Sequence, residues 1–152
     1  MMTNYMGGKI MTKLFNTVHE IKLRLLLLLM TVGENPISSG RLRALDQLII
    51  YGYAYNMTPD NLNGNARHKL TEYSARYQVI RDAINSLVLS GCVNIIFSKS
   101  GFLYEITDYG LKFINTLNDE YKDKYIEYAQ IVVNNTESLS EIELEEIITS
   151  KL

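Results

Sequence analysis

Tryptophan is absent from the 152 residues, cysteine occurs once, and histidine and proline occur twice each. The lone Cys92 cannot close an internal disulfide, and no second cysteine supports a zinc site. Its place after Gly91 suits a small buried hydrophobe. His19 falls in a helical stretch and His68 in a polar one, and neither has a ligand-like neighbour in sequence. A G-x-x-x-x-G-K-[ST] phosphate loop and a Gly-x-Ser-x-Gly elbow are both missing. The carboxylate pairs Asp119-Glu120 and Glu145-Glu146 lie on acidic stretches that read as solvated faces. The expectation is a protein with no catalytic residue, no cofactor site and no metal site, hence not an enzyme.

A long apolar run is missing too. The run LRLLLLLM invites a membrane reading, but the uncharged stretch from Leu25 to Val32 is far short of the roughly 20 residues that span a bilayer. Lys22 and Arg24 precede it as in a signal peptide, yet GENPISSG follows where a small-x-small cleavage site belongs. A wholly buried helix in a cytoplasmic protein fits better, with no membrane partner.

What is present is tyrosine, 11 residues, each an apolar body with a polar tip suited to contact surfaces. Charge is present but uneven. Residues 1–101 hold 11 Lys and Arg against 6 Asp and Glu, whereas residues 102–152 hold 4 against 11. The two halves are expected to have different surroundings, with any polyanion meeting the first.

The patterning divides the chain into a weakly patterned segment, 1–13, a main domain, 14–133, and an acidic amphipathic segment, 134–152. A first helix is expected from a cap at Asn16 or Thr17 to Val32, stopped by Gly33 and Asn35-Pro36. A second opens after Ser38 or Ser39 and buries Leu42, Leu45, Leu48 and Ile49. Asn56 to Leu70 is polar, with four Asn, and reads as a long surface connection made locally basic by Arg67-His68-Lys69. A third helix, Tyr73 to Leu89, carries an apolar stripe at Tyr73, Tyr77, Ile80, Ile84, Leu87 and Val88 and ends at Gly91. Two β runs follow, VNIIFS and FLYEIT, joined by a turn at Lys99-Ser100-Gly101. Val93, Ile95 and Phe97, opposite Phe102, Tyr104 and Ile106, are expected to point inward. A fourth helix from Tyr109 to about Val133 comes next. The last segment is apolar at Leu139, Ile142, Ile147 and Ile148.

Three helices, a hairpin and a helix make a mainly α fold with a small antiparallel β-hairpin. This is the order of a winged helix-turn-helix with a long C-terminal helix. The run LVLSGCVNIIFSKSGFLYEITDYG resembles the third helix and wing of that class. A narrower resemblance rests on FNTVHEIKLRLLLLLM, SSGRLRALDQLIIYG, NLNG, YSARYQVIRDAINSLVLSGCVN and YGLKFINTL, in that order. Over about residues 14–130 the chain resembles the middle component of the ABC-three-component conflict systems of prokaryotes, relatives of Lamassu-type anti-phage defence. That resemblance implies a cytosolic subunit working with an ABC-type (SMC/Rad50-like) ATPase and a separate effector, commonly a nuclease. The acidic segment after Asn134 lies outside the resemblance.

Two kinds of surface are candidates for the work. The outward face of the third helix is expected to present Ser74, Ala75, Gln78, Asp82, Asn85, Ser86 and Leu89, with Arg76 and Arg81 at its flanks. Candidate nucleic-acid contacts are therefore Arg67, Lys69, Arg76, Gln78, Arg81, Asn85 and Lys99, few cations for a protein that must neutralise phosphates. The stripe of the fourth helix outruns its domain at Tyr121, Tyr125, Tyr128 and Val132, a candidate seam with a second copy or the ATPase. The alternative is the acidic segment folding back over it. Two functions stay open: a non-catalytic adaptor within the ATPase complex, and a stand-alone dimeric winged-helix regulator that contacts duplex DNA.

Overall fold

The computed structural model describes residues 18–150. Within them α1 spans Val18–Val32, α2 Ser39–Ile50 and α3 Lys69–Leu89, followed by strands β1, Val93–Ser98, and β2, Gly101–Ile106. Helices α4, Asp108–Asn115, α5, Glu120–Thr136, and α6, Glu141–Ser150, complete the order. The expected cap at Asn16 or Thr17 and the segment 1–13 lie outside the described residues.

Helix α1 is the centre of the molecule. Five consecutive leucines, Leu25 to Leu29, are each at most 1% exposed. A helix apolar on every side must be surrounded, and α1 touches α2, α3, α4, α5 and β2. Gly33 ends it at φ +68°, returning its N–H to the carbonyls of Leu29 and Met30. Ser38 then caps α2, its Oγ accepting from the Arg41 N–H at 3.1 Å. As expected, Leu42, Leu45, Leu48 and Ile49 are buried.

The polar connection differs from the expected solvated loop. It is a set of tight turns tied to the core, and α3 starts at Lys69, four residues before the expected Tyr73. Asn61 Oδ1 accepts from the Tyr53 and Ala54 N–H groups. Tyr128 donates to Asp60 at 2.7 Å and Tyr121 to Asn63 at 3.3 Å. The asparagines are there because short amides satisfy backbone groups that a turn leaves open. Thr58 is buried within this stretch, as are Tyr51 and Tyr55 just before it.

The strands pair antiparallel with Val93 opposite Ile106, Ile95 opposite Tyr104 and Phe97 opposite Phe102. Ser98 pairs with Gly101, so the turn proper is Lys99-Ser100 and Gly101, at φ +120°, belongs to β2. Ile37, between α1 and α2, exchanges both backbone hydrogen bonds with Tyr104 (3.1 and 2.8 Å) and so docks on the hairpin like a one-residue strand. Only the base of the hairpin faces the core: Val93 and Tyr104 are buried, while Phe97 and Phe102 are 74% and 55% exposed. Their expected inward placement is corrected, because the hairpin reaches past the helices that could cover it. Tyr77, expected in the buried stripe of α3, is exposed as well.

Gly110 packs against the turn at Cys92, where an added Cβ would lie 2.5 Å from the Cys92 carbonyl oxygen and 2.8 Å from Ile106 Cγ1. Backbone cannot move aside as a side chain does. Gly110→Ala is expected to cost about 1–3 kcal/mol, read as a fall in melting temperature.

The single long fourth helix is also corrected: it is two helices. α4 stops at Asn115, and Asp119 caps α5 by accepting from the Lys122 N–H at 3.0 Å. Lys122 Nζ reaches back to the carbonyls of Ile114 and Leu117 at 2.9 and 2.7 Å, closing the end of α4. Helix α5 then continues through Asn134-Asn135 to Thr136 and packs on α1 and α2. Helix α6 lies on α2. It buries Leu144 and Ile148, while Ile142, expected on the apolar side, is 72% exposed.

Candidate functional site

The N-terminus of α2, the outer side of α3 and the hairpin tip meet around a cleft of about 420 Å³. Ile84 and Tyr104, nearly buried, make its floor. Phe102 and Ser100 form one wall, Ser38 and Ser39 the other, and Arg81 and Asn85 the rim on α3. Phe97 meets Phe102 edge to face, ring centroids 5.1 Å apart. Of the lining side chains Arg81 carries the charge. A second cleft, about 400 Å³, opens between α1 and α4 and is lined among others by Lys22, Leu26, Tyr109 and Phe113.

The surroundings of the first cleft resolve the charge asymmetry of the sequence. Acidic α6 and the turn before it lie on basic α2, so the two halves are each other's environment, contrary to the expected separation. Arg41 donates to the carbonyls of Leu139 and Thr136 at 2.7 and 3.0 Å. Arg43 pairs with Glu145 at 3.4 Å and stacks 4.0 Å over the Tyr73 ring, whose hydroxyl donates to the same carboxylate at 2.6 Å. At the start of α2 the Ser38 hydroxyl donates to Glu141 at 2.6 Å. A carboxylate there also complements the positive end of the helix.

The candidate nucleic-acid contacts separate into three sets. Arg81, Asn85 and Gln78 are exposed on α3 and Lys99 at the hairpin tip. Gln78 is already engaged, donating to Asp82 at 3.0 Å. Arg67 is exposed and Lys69 partly buried at the start of α3, where Lys69 sits 5.7 Å from the Tyr55 ring. Arg76 is corrected: it is 5% exposed and points into the interior. Its guanidinium donates to Gln47 Oε1 and to Glu72 at 3.3 Å. The side chain turns inward because Gln47 and Glu72 offer acceptors there.

The expected seam on the fourth helix is corrected too. Tyr125, Tyr128 and Val132 are at most 2% exposed and Tyr121 is half-buried, covered by α1, α2 and the polar turns. The acidic C-terminal helix packs mainly on α2.

Two functional-looking charges escaped the sequence reading. Arg24 and Asp46 are both fully buried and form a bidentate pair, Nε to Oδ1 at 3.0 Å and Nη2 to Oδ2 at 2.9 Å. Tyr125 adds a third bond, donating to Asp46 Oδ1 at 2.8 Å. Burial pushes the Asp46 carboxyl up, but Arg24, Arg76 and the Tyr125 hydroxyl outweigh it and hold it below the usual range. The adjacent Gln47 donates to Tyr55 and to the Lys69 carbonyl, both at 3.0 Å, and accepts from Arg76. Their signal was spacing: Arg24 falls three residues after Ile21, on a helix whose other middle positions are apolar. The pair joins α1 to α2, and Tyr125 ties α5 to both. Among the described residues no group of three His, Cys, Asp or Glu could hold a metal ion, and no helix is long and apolar enough to cross a membrane.

These features define a mainly helical protein with one two-stranded antiparallel sheet, its basic α2 covered by its own acidic C-terminal helix. A family model for the ABC-three component (ABC-3C) system Middle Component 2 matches residues 14–152, and the chain belongs to that family. The match takes in the acidic segment that the resemblance had left outside. No curated protein and no solved structure matches the chain.

Proposed function

We propose that this chain is a non-catalytic adaptor subunit of its three-component system, linking an ABC-type (SMC/Rad50-like) ATPase to an effector in cytoplasmic antiviral defence. The observation that carries the reading is family membership over 14–152, since a middle component works with other components. In this reading the fold is a winged helix-turn-helix, with β1–β2 as the wing and α3 as the helix beside it. The surfaces left open suit protein contact: Leu89, Phe97 and Phe102 are all more than half exposed.

A DNA-reading regulator is the second reading, favoured by the exposure of Arg81, Asn85 and Lys99 around one cleft. Against it stand the burial of Arg76 and the capture of Arg41 and Arg43 inside the chain. Few cations remain to release counterions from a duplex, and that release supplies most non-specific affinity.

The two readings part on purification from the native operon followed by native mass spectrometry. The adaptor is expected to emerge in a complex with the ATPase. Emergence as a lone dimer that binds duplex DNA sequence-selectively would replace it with the regulator.

A further inference from the structure

Resting on the adaptor reading, we propose that the cleft between α2, α3 and the hairpin tip docks a segment of a protein partner. That segment carries a carboxylate beside an aromatic or aliphatic side chain.

The apolar half of the argument comes from the hairpin. Phe97 and Phe102 brace each other at 5.1 Å, yet both keep more than half of their surface in water. Nothing within the described residues covers them. Phe102 continues inward onto Ile84 and Tyr104, 3% and 8% exposed, so the open aromatic surface runs into an apolar floor. A cleft of about 420 Å³ takes one or two large side chains. Buried aromatic anchors of this kind concentrate binding energy in protein interfaces.

The polar half comes from Arg81. It is exposed on the rim, braced 6.0 Å from the Tyr77 ring, and presents a planar fork of donors suited to one carboxylate. Duplex DNA fits the same place worse. A phosphate approaching the N-terminus of α2 meets the Glu141 carboxylate already bonded to Ser38, and Asp82 stands next to Arg81. A phosphate backbone is anionic along its whole length and cannot avoid these groups. A peptide needs a single carboxylate on Arg81 and an apolar neighbour over Phe102.

The test uses full-length protein titrated against each of the other two purified components of its own system. Arg81→Glu and Phe102→Ala alter exposed side chains, and thermal melts confirm that both variants stay folded. Each is expected to weaken binding of one component by about tenfold or more, while Arg81→Lys retains most of the affinity. A benzophenone side chain placed at Phe102 is expected to cross-link to a single segment of that component bearing Asp or Glu beside an apolar residue.

Wild-type protein that binds neither component overturns the adaptor reading itself. Binding that survives either substitution unchanged overturns the cleft alone, because the proposal requires both the cation and the aromatic wall. Labelled duplex DNA that binds wild type and is lost with Arg81→Glu, with component binding intact, overturns it in favour of nucleic acid.

Discussion

Asp46→Ala is expected to remove about 3–5 kcal/mol of stability, because it takes away the buried carboxylate that pairs bidentately with the fully buried Arg24 guanidinium. Against a typical margin of about 5–15 kcal/mol that is a large share of what holds a small protein folded. With a urea slope of about 2 kcal/mol/M, the denaturation midpoint falls by about 2 M. The loss comes from keeping a buried cation after its bidentate carboxylate is gone rather than from the value of the pair. Replacing the trio together, Arg24→Met, Asp46→Leu and Tyr125→Phe, is therefore expected to recover much of it. A triple variant as weak as Asp46→Ala would show the pair to be stabilising in itself.

The pair also sets an acid limit. Because the folded Asp46 carboxyl titrates below its ordinary value of about 3.9, its stabilisation is present above that pH. It is lost as pH falls through the lower folded value. Urea midpoints are thus expected to be insensitive to this group from pH 5 to 8 and to drop in its acid range below about pH 4. Asp46→Ala should lack that component.

Arg24 shows where reading the sequence stops. Patterns of period 3.6 report which face of a helix is buried; with them, cap and glycine signals placed the end of α1 at Gly33, the start of α2 at one of two serines and the end of α3 at Gly91, and strand alternation placed the hairpin register. A charge at a core position is legible only when its partner is known, and Asp46 lies 22 residues away on another helix. The same limit applies to the inward turn of Arg76, whose flank position on α3 was readable but whose acceptors, Gln47 and Glu72, were not. At the cleft, Asn85 was legible as an outward residue and Arg81 as a flanking one. The tip phenylalanines were not, because strand alternation says which side a residue faces and not how far the covering helices extend. In the fourth helix the apolar steps of three and four run unbroken across Leu117 to Tyr121. Periodicity alone cannot see that α4 ends at Asn115 and that Asp119 starts the next helix with its own side chain.

That break decides what the tyrosines of α5 do. Read as one long helix, the stripe outran its domain and called for a partner. Once α5 starts afresh at Glu120, the same residues face α1 and α2 and are spent on the core. Tyr125→Ala is expected to cost about 3–5 kcal/mol, the penalty for emptying a large aromatic site that cannot collapse. Tyr125→Phe keeps the ring and removes only the donor to Asp46. It is expected to cost about 1.5–3 kcal/mol, as for a hydrogen bond to a charged group. Both are measured by urea denaturation of the isolated chain, where no partner contributes. A charged replacement such as Tyr125→Asp would abolish association by unfolding the subunit, so lost binding in that variant says nothing about an interface. If instead Tyr125→Ala leaves the midpoint unchanged and binding to another component disappears, the ring faces a partner after all. The packing of α5 on α1 and α2 would then be wrong.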